Sequence, residues 1–178
     1  TTAMRGNHDI TVIVHNNKVY GLTTGQSSPT SDYHYKSKST PRGAIETPVN
    51  PMALGIASDA SFLAKGFSGD VPKLTETIKA ALQHKGFSLV DVFQNCITFN
   101  HVNTVMWYKD RVYHTPEHDL TSKAEALKLA LQEEKLPIGI LYKKSRPTYE
   151  EELPQLKKGS QLSKGTKQDI KDVMPSFV

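Results

Sequence analysis

Residues 62–93 constrain the fold more than any other stretch of this 178-residue chain. Phe62–Gly66 is a short apolar run suited to a strand. Asp70 then stands as an N-cap, and Pro72 falls in the first turn of the helix it opens. Leu74, Ile78, Ala81 and Leu82 recur on one face of that helix, and Gly86 closes it. Ser88–Phe93 is a second apolar run, through Leu89, Val90 and Val92. Strand, helix and strand joined by connections of a few residues are the grammar of a parallel sheet. The expected fold class is therefore α/β, a mostly parallel sheet flanked by helices.

The other elements fit around that unit. Asp9–His15 alternates and is β-branched at Ile10, Val12, Ile13 and Val14, which predicts a buried strand. Leu22–Pro51 is rich in Ser, Thr, Pro and Gly, and its length marks it as functional or disordered. A short helix is expected from Pro51 to about Ser58. After Asn100 the pattern loosens through Val102–Tyr113. Ser122 and Glu125 then have capping-box spacing, with Leu127 and Leu131 marking the helix they open. Ile138–Tyr142 predicts a short apolar strand. Thr148–Val178 lacks periodicity and is expected to be an arm that packs on a partner or stays mobile. The domain reading is a sheet domain over residues 1–146 and an arm over residues 147–178.

Hydrophobic residues make up 37% of the chain, enough for one core if the terminal segments lie outside it. No apolar run approaches the ~18 residues of a membrane span, and Thr1–Gly6 has no signal-peptide character. One cysteine excludes an internal disulfide framework. These features predict a soluble cytoplasmic protein with no membrane partner. The formal charge is +4, with Lys157, Lys158, Lys164, Lys167 and Lys171 clustered near the C-terminus. No aromatic residues interleave with these lysines as a stacking platform requires, so nucleic acid is not expected as a partner. A solvated tail is the plainer account.

The chemistry concentrates in Ile10–Gln26, ITVIVHNNKVYGLTTGQ. Ligands of open parallel sheets bind beyond the carboxyl ends of the strands. Here a strand runs directly into Asn16 and Asn17, then into a glycine-punctuated, hydroxyl-rich loop. Two amides followed by Thr23, Thr24, Gly25 and Gln26 suit a hard divalent cation carrying a diphosphate, because magnesium takes oxygen ligands and lets substrate phosphates fill its remaining positions. Gly21 and Gly25 would let the backbone approach phosphate, with the threonine hydroxyls as donors. Taken on spacing alone, an Asn-Asn pair is more often a turn. Cys96, just past a strand, would by itself be a small inert hydrophobe.

Four blocks carry a family resemblance: HNNKVYGLTTGQSSPTS (His15–Ser31), SFLAKGF (Ser61–Phe67), QNCITFN (Gln94–Asn100) and PIGILYKK (Pro137–Lys144). In this order, spread over about four-fifths of the chain, they resemble the beta subunit of the 2-oxoacid:ferredoxin oxidoreductases. The resemblance implies a thiamine diphosphate-binding fold and oxidative decarboxylation of a 2-oxoacid. Coenzyme A would take the acyl group and ferredoxin the electrons. It also implies that Asn17 gives magnesium a side-chain oxygen and Val19 its backbone carbonyl. Tyr20, Gly21, Leu22, Thr23, Thr24, Gly25 and Gln26 would complete the cofactor-binding loop. Many members of the family carry lysine at the position of Thr24. Ser27–Thr30 would line the path to the thiamine ring, and Cys96 would be one ligand of a [4Fe–4S] cluster. Asn95 stands where proline is common.

The resemblance also implies what these residues lack. A [4Fe–4S] cluster needs four cysteines, and the family's Gly-Asp-Gly magnesium block belongs further upstream; neither is present here. The chain resembles the C-terminal part of a beta subunit. Alone it is expected to be inactive, and an alpha subunit is the implied partner. Two other functions stay open, a cluster-free thiamine-dependent decarboxylase and a non-catalytic assembly fragment docking to an alpha subunit. Lys36, Lys38 and Arg42 on the loop Asp32–Val49 lean the substrate slightly toward 2-oxoglutarate over pyruvate, and a solvated lid is the equal alternative for that loop. His114, Glu117 and His118 imitate zinc-ligand spacing, but Pro116 disturbs the helix such a site needs, and an exposed turn is expected instead.

Overall fold

The computed structural model describes residues 1–157 and residue 159. A five-stranded sheet forms its centre, in the order β1 (Thr11–Asn16), β5 (Ser88–Phe93), β4 (Phe62–Phe67), β7 (Leu136–Lys143) and β6 (Val112–His114). The pairs β1–β5, β5–β4 and β6–β7 run parallel, whereas β4–β7 is antiparallel. The sheet is therefore mostly parallel. A separate two-stranded hairpin joins β2 (Val19–Tyr20) to β3 (Gln26–Ser27).

The unit at residues 62–93 forms as its pattern requires. β4 and β5 are buried at every position, and α3 (Val71–Gln83) crosses between them. The Asp70 carboxylate accepts from the Lys73 amide at 3.1 Å, satisfying one orphan donor of the first turn. α3 covers the sheet face of Phe62, Ala64, Val90 and Val92 through Leu74, Ala80 and Ala81. Gly66 is required for that approach, since a Cβ there would stand 2.5 Å from Leu74 Cδ1. On the opposite face α2 (Pro51–Ala57) and α5 (Lys123–Ala130) pack Met52, Ile56, Ala126 and Leu129 against Leu63, Leu89 and Leu141. Both faces are thus covered, as parallel sheets demand.

Several details differ from the sequence expectation. β1 is not a buried strand but the sheet's edge, with Ile13 37% exposed and Ile10, just ahead of the strand, 46% exposed. Among the described residues it pairs on one side only, with β5. On α3, Leu82 is exposed while Thr77 is buried, its hydroxyl donating to the Lys73 carbonyl at 2.8 Å. The helix ends at His84, ahead of Gly86. Gly86 instead takes φ 116° to pass the side chain of Asn7. In α5 the small residues Ala126 and Ala130 join Leu129 on the buried face, leaving Leu127 and Leu131 toward solvent. Ser122 caps that helix, but the Glu125 carboxylate turns to the Asp119 amide, so no reciprocal box closes. The loose region after Asn100 contains α4 (Val105–Lys109) and β6.

The chain start and residues 146–152 are sewn together. α1 (Thr2–Gly6) ends at Asn7, which is fully buried. The Asn7 amide nitrogen donates to the carbonyls of Arg146 and Pro147, and its oxygen accepts from Ser61 Oγ and the Phe87 amide. Arg146 reaches the carbonyls of Met4, Arg5 and Asp59. α6 (Tyr149–Glu152) begins with a true capping box between Thr148 and Glu151, and a 3-10 turn follows at Pro154–Leu156. Lys158, Lys164, Lys167 and Lys171 lie outside the described residues. Among the described residues no helix is long and apolar enough to cross a membrane.

Candidate functional site

Because β1 and β5 are parallel neighbours, with Asn16 in register with Phe93, their carboxyl ends open at one edge of the sheet. The Asn-Asn turn leaves β1 there, and Gln94-Asn95-Cys96 leaves β5 beside it. Two cross-links hold them. The Gln94 amide donates to the Asn16 carbonyl at 3.1 Å, and the Asn100 side chain donates to the Asn17 carbonyl at 3.1 Å.

The turn itself is sharp. Lys18 takes φ 58°, and the Val19 amide donates to Asn17 Oδ1 at 3.2 Å. That is the Asx-turn which an asparagine pair makes anywhere. An amide oxygen has two lone pairs, however, so one remains for a cation. Val19 is buried and Tyr20 half-exposed, and the β2–β3 hairpin presents Gly21–Gly25 at its tip. There the Gly25 amide donates to the Tyr20 carbonyl at 2.9 Å and the Thr24 amide to the Gly21 carbonyl at 3.1 Å. Thr24 and Gly25 take φ of 77° and 101°. Left-handed backbone at a β-branched threonine is strained, and strain of this kind clusters at ligand sites. At Gly25 a Cβ would lie 2.9 Å from Phe99 Cδ1. Leu22, Thr23 and Thr24 are exposed, and the Thr23 hydroxyl donates to Gln26 Oε1 at 2.6 Å.

Cys96 is a free, partly exposed thiol. Its Sγ lies 3.9 Å from where a Cβ on Gly21 would stand, and Asn17 Nδ2 lies 4.0 Å from the same point. The bare glycine therefore separates the amide turn from the sulfur. Tyr35, whose hydroxyl donates to the Phe99 carbonyl at 2.9 Å, backs this loop. Burial and the charge of Cys96 hold its phenol above the ordinary value.

Ser27, Ser28 and Pro29 line a cleft with Tyr20, Arg42 and Ile45. Lys36 and Lys38 are exposed on the same loop. His114 and His118 go to different partners. His114 Nε2 sits 2.8 Å from Asp70 Oδ2, and His118 Nε2 sits 3.0 Å from the Leu141 carbonyl. Among the described residues no three His, Cys, Asp or Glu side chains gather to hold a metal.

Behind the turn stands a group of polar residues that the sequence reading missed. Lys65 on β4 and Asp91 on β5 are register partners, and only 4% and 2% exposed. Lys65 Nζ donates to the Ala130 carbonyl at 3.2 Å, at the end of α5. Burial pushes its pKa down to about 8, against the pull of Asp91. Asp91 Oδ2 accepts from Asn16 Nδ2 at 3.4 Å, while its Oδ1 has no partner. Burial raises the Asp91 carboxyl, an effect partly opposed by Lys65 and Asn16. Closer to the surface Lys18 pairs with Asp32, which also accepts from Asn103 Nδ2 at 3.0 Å. The signal for the buried pair was available: each of FLAKGF and SLVDVF carries one charge, at the fourth position.

Two family models together cover most of the described chain. "Thiamine pyrophosphate enzyme, C-terminal TPP binding domain" matches residues 1–92, and the model for the C-terminal region of the pyruvate ferredoxin oxidoreductase beta subunit matches residues 96–158. The 2-oxoacid:ferredoxin oxidoreductase 1 subunit beta of Aeropyrum pernix is 43% identical over 165 residues, which is 85% of this chain and 52% of that protein. The corresponding subunit of Saccharolobus solfataricus is 42% identical over 169 residues, 86% of this chain and 55% of that protein. This chain thus spans about half the length of the curated relatives it matches. A solved structure is similar with a TM-score of 0.87 at 35% identity, over 98% of this chain and 60% of the other. It is a 2-oxoglutarate:ferredoxin oxidoreductase from Magnetococcus marinus with 2-oxoglutarate, coenzyme A and succinyl-CoA bound. The chain belongs to the thiamine pyrophosphate enzymes, through their C-terminal TPP-binding domain, and is similar to the beta subunits of the 2-oxoacid:ferredoxin oxidoreductases.

Proposed function

We propose that this chain is the thiamine diphosphate-holding part of a beta subunit that oxidatively decarboxylates a 2-oxoacid to an acyl-CoA and passes the electrons to ferredoxin. The observation that carries this reading is the meeting of the Asn17–Val19 turn with Cys96, one bare glycine apart. A fold that only needed a core would have no reason to bring a thiol and the Asn17 amide to the same glycine at the open end of its sheet.

The donor set fits part of each group. The free lone pair of Asn17 Oδ1 and the Val19 carbonyl are hard neutral oxygens, suited to Mg2+ alongside diphosphate oxygens. The carboxylate this cation would also need comes from outside these residues, as do three further thiolates for a [4Fe–4S] cluster ligated by Cys96. When bound, thiamine diphosphate supplies carbanion stabilisation at the substrate's keto carbon, and the cluster supplies a one-electron path. The residues of this chain bind and orient. The hairpin tip Gly21–Gly25 offers backbone and threonine hydroxyls to the diphosphate side, and the Ser27–Pro29 cleft admits the 2-oxoacid or coenzyme A. Arg42 on its wall suits the second carboxylate of 2-oxoglutarate. The enclosure is finished by an alpha subunit, and the chain alone is inactive.

The test uses the chain within its full-length subunit, assembled with an alpha subunit. Viologen reduction dependent on 2-oxoacid and coenzyme A should be present in the parent. Cys96→Ser should abolish that reduction and change the cluster's absorption, while thiamine diphosphate still binds. Asn17→Ala should weaken cofactor binding by about 10- to 100-fold. A parent that binds thiamine diphosphate yet reduces no acceptor with any of several 2-oxoacids refutes the assignment.

A further inference from the structure

We propose that Asp91 is a positioning residue for the turn that carries Asn17 and Val19, acting from inside the sheet through Asn16 and Thr30. The proposal rests on the functional reading above. Its geometry is a continuous chain of contacts. Asp91 Oδ2 accepts from Asn16 Nδ2 at 3.4 Å. Asn16 Oδ1 accepts from the Thr30 hydroxyl at 2.8 Å and from the Lys18 amide at 3.4 Å. The Ser31 hydroxyl donates to the Lys18 carbonyl at 2.7 Å. One buried carboxylate therefore fixes which way the Asn16 amide points, and that orientation fastens both the left-handed residue between Asn17 and Val19 and the loop that crosses it.

The alternative account is that Asp91 merely balances Lys65. The geometry opposes it. Lys65 directs its hydrogen bond to the Ala130 carbonyl, at the end of α5 where a cation is favoured by the helix dipole. Asp91 turns to Asn16. A buried charge pair is weak evidence for stability, so a carboxylate left with one oxygen unmatched in the middle of a sheet needs another reason to be there. Holding the group beside a metal ligand is such a reason, because partners of this kind set the orientation of the ligating oxygen.

Two double variants of the assembled full-length enzyme separate these accounts. Lys65→Met with Asp91→Leu removes both charges and the acceptor oxygen. Lys65→Met with Asp91→Asn removes both charges but leaves an oxygen for the Asn16 amide. Both should fold at least as stably as the parent. The asparagine variant should bind thiamine diphosphate in excess Mg2+ within about threefold of the parent, and the leucine variant about tenfold more weakly, with kcat at saturating cofactor little changed. Hydrogen exchange should rise at the Lys18 and Val19 amides in the leucine variant alone, with β4 and β5 unaltered. Thr30→Val cuts the same chain at its outer end without touching the core, and should also weaken cofactor binding. Equal binding and equal exchange in the two double variants overturn the proposal, as does parent-like binding by Thr30→Val. A parent that binds no thiamine diphosphate would instead sink the functional reading, and exchange at Lys18 and Val19 would still decide the positioning role.

Discussion

Removing the buried charges should stabilise this protein, and the size of the gain can be worked from Lys65. The residue is 4% exposed and its pKa falls from 10.5 to about 8, chiefly through burial. Such a fall corresponds to about 3 kcal/mol of destabilisation wherever lysine is charged in both states. The sign follows from proton counting. Between about pH 8 and pH 10.5 the unfolded chain binds more protons than the folded one, so stability rises with pH across that window. Below about pH 8 the cost is felt in full. An independent route gives a similar size, since replacing buried ion pairs by well-packed apolar residues gains about 1–4 kcal/mol. Lys65→Met with Asp91→Leu should therefore unfold at higher urea at pH 7, and its advantage should shrink toward pH 10.5. Urea titrations at pH 7, 8.5 and 10, read by far-UV circular dichroism, measure this. A double variant less stable than the parent at pH 7, or an advantage independent of pH, would refute the argument that Lys65 is charged and strained by burial.

Gly25→Ala must place a methyl group 2.9 Å from Phe99 Cδ1 at φ 101°, so it should cost about 1–3 kcal/mol in thermal unfolding and distort the hairpin tip enough to weaken thiamine diphosphate binding. Asn7→Ala removes four hydrogen bonds that join residues 7, 61, 87 and 146–147, and urea unfolding should report a loss of about 3–4 kcal/mol. Arg42→Ala in the assembled enzyme should raise KM for 2-oxoglutarate by roughly tenfold or more while leaving KM for pyruvate near its parent value. Equal effects on the two substrates would remove Arg42 from second-carboxylate recognition.

Where local chemistry decides, the fold was legible. The Asp70 cap, the helix behind it and the limits of β5 could all be read in order, because caps and apolar runs act over a few residues. Judgements of face went wrong where packing partners decide. Leu82, Leu127 and Leu131 looked like core, yet α3 and α5 bury Thr77, Ala126 and Ala130 instead. Helices lying close on a sheet need small side chains at the contact, and Gly66 and Ala81 show how close α3 comes. β1 looked buried because its residues are β-branched, and composition does not reveal whether a strand has a neighbour on both sides. The antiparallel entry of β7 was equally hidden, since a connection's direction depends on where the chain returns.

The site was legible as residue types and illegible as an arrangement. Asn17 and Cys96 are far apart in sequence, and nothing local says they meet. They come to the same glycine, Gly21, because β1 and β5 are adjacent and parallel, so the sheet delivers both carboxyl ends to one edge. The same register explains the buried pair. Once β4 and β5 align Phe62 with Ser88, the lone charges of FLAKGF and SLVDVF must stand side by side as Lys65 and Asp91. Neither could be tolerated alone in an apolar strand, and each was therefore a message about the other. Asn16 completes the message on β1, two positions beyond the residue that pairs with Asp91 and on the same face of the sheet. A parallel sheet thus does more than support its loops. Through one row of polar side chains it reaches from the end of α5 to the turn that would grip the metal, so the core of this domain helps to set the aim of its own edge.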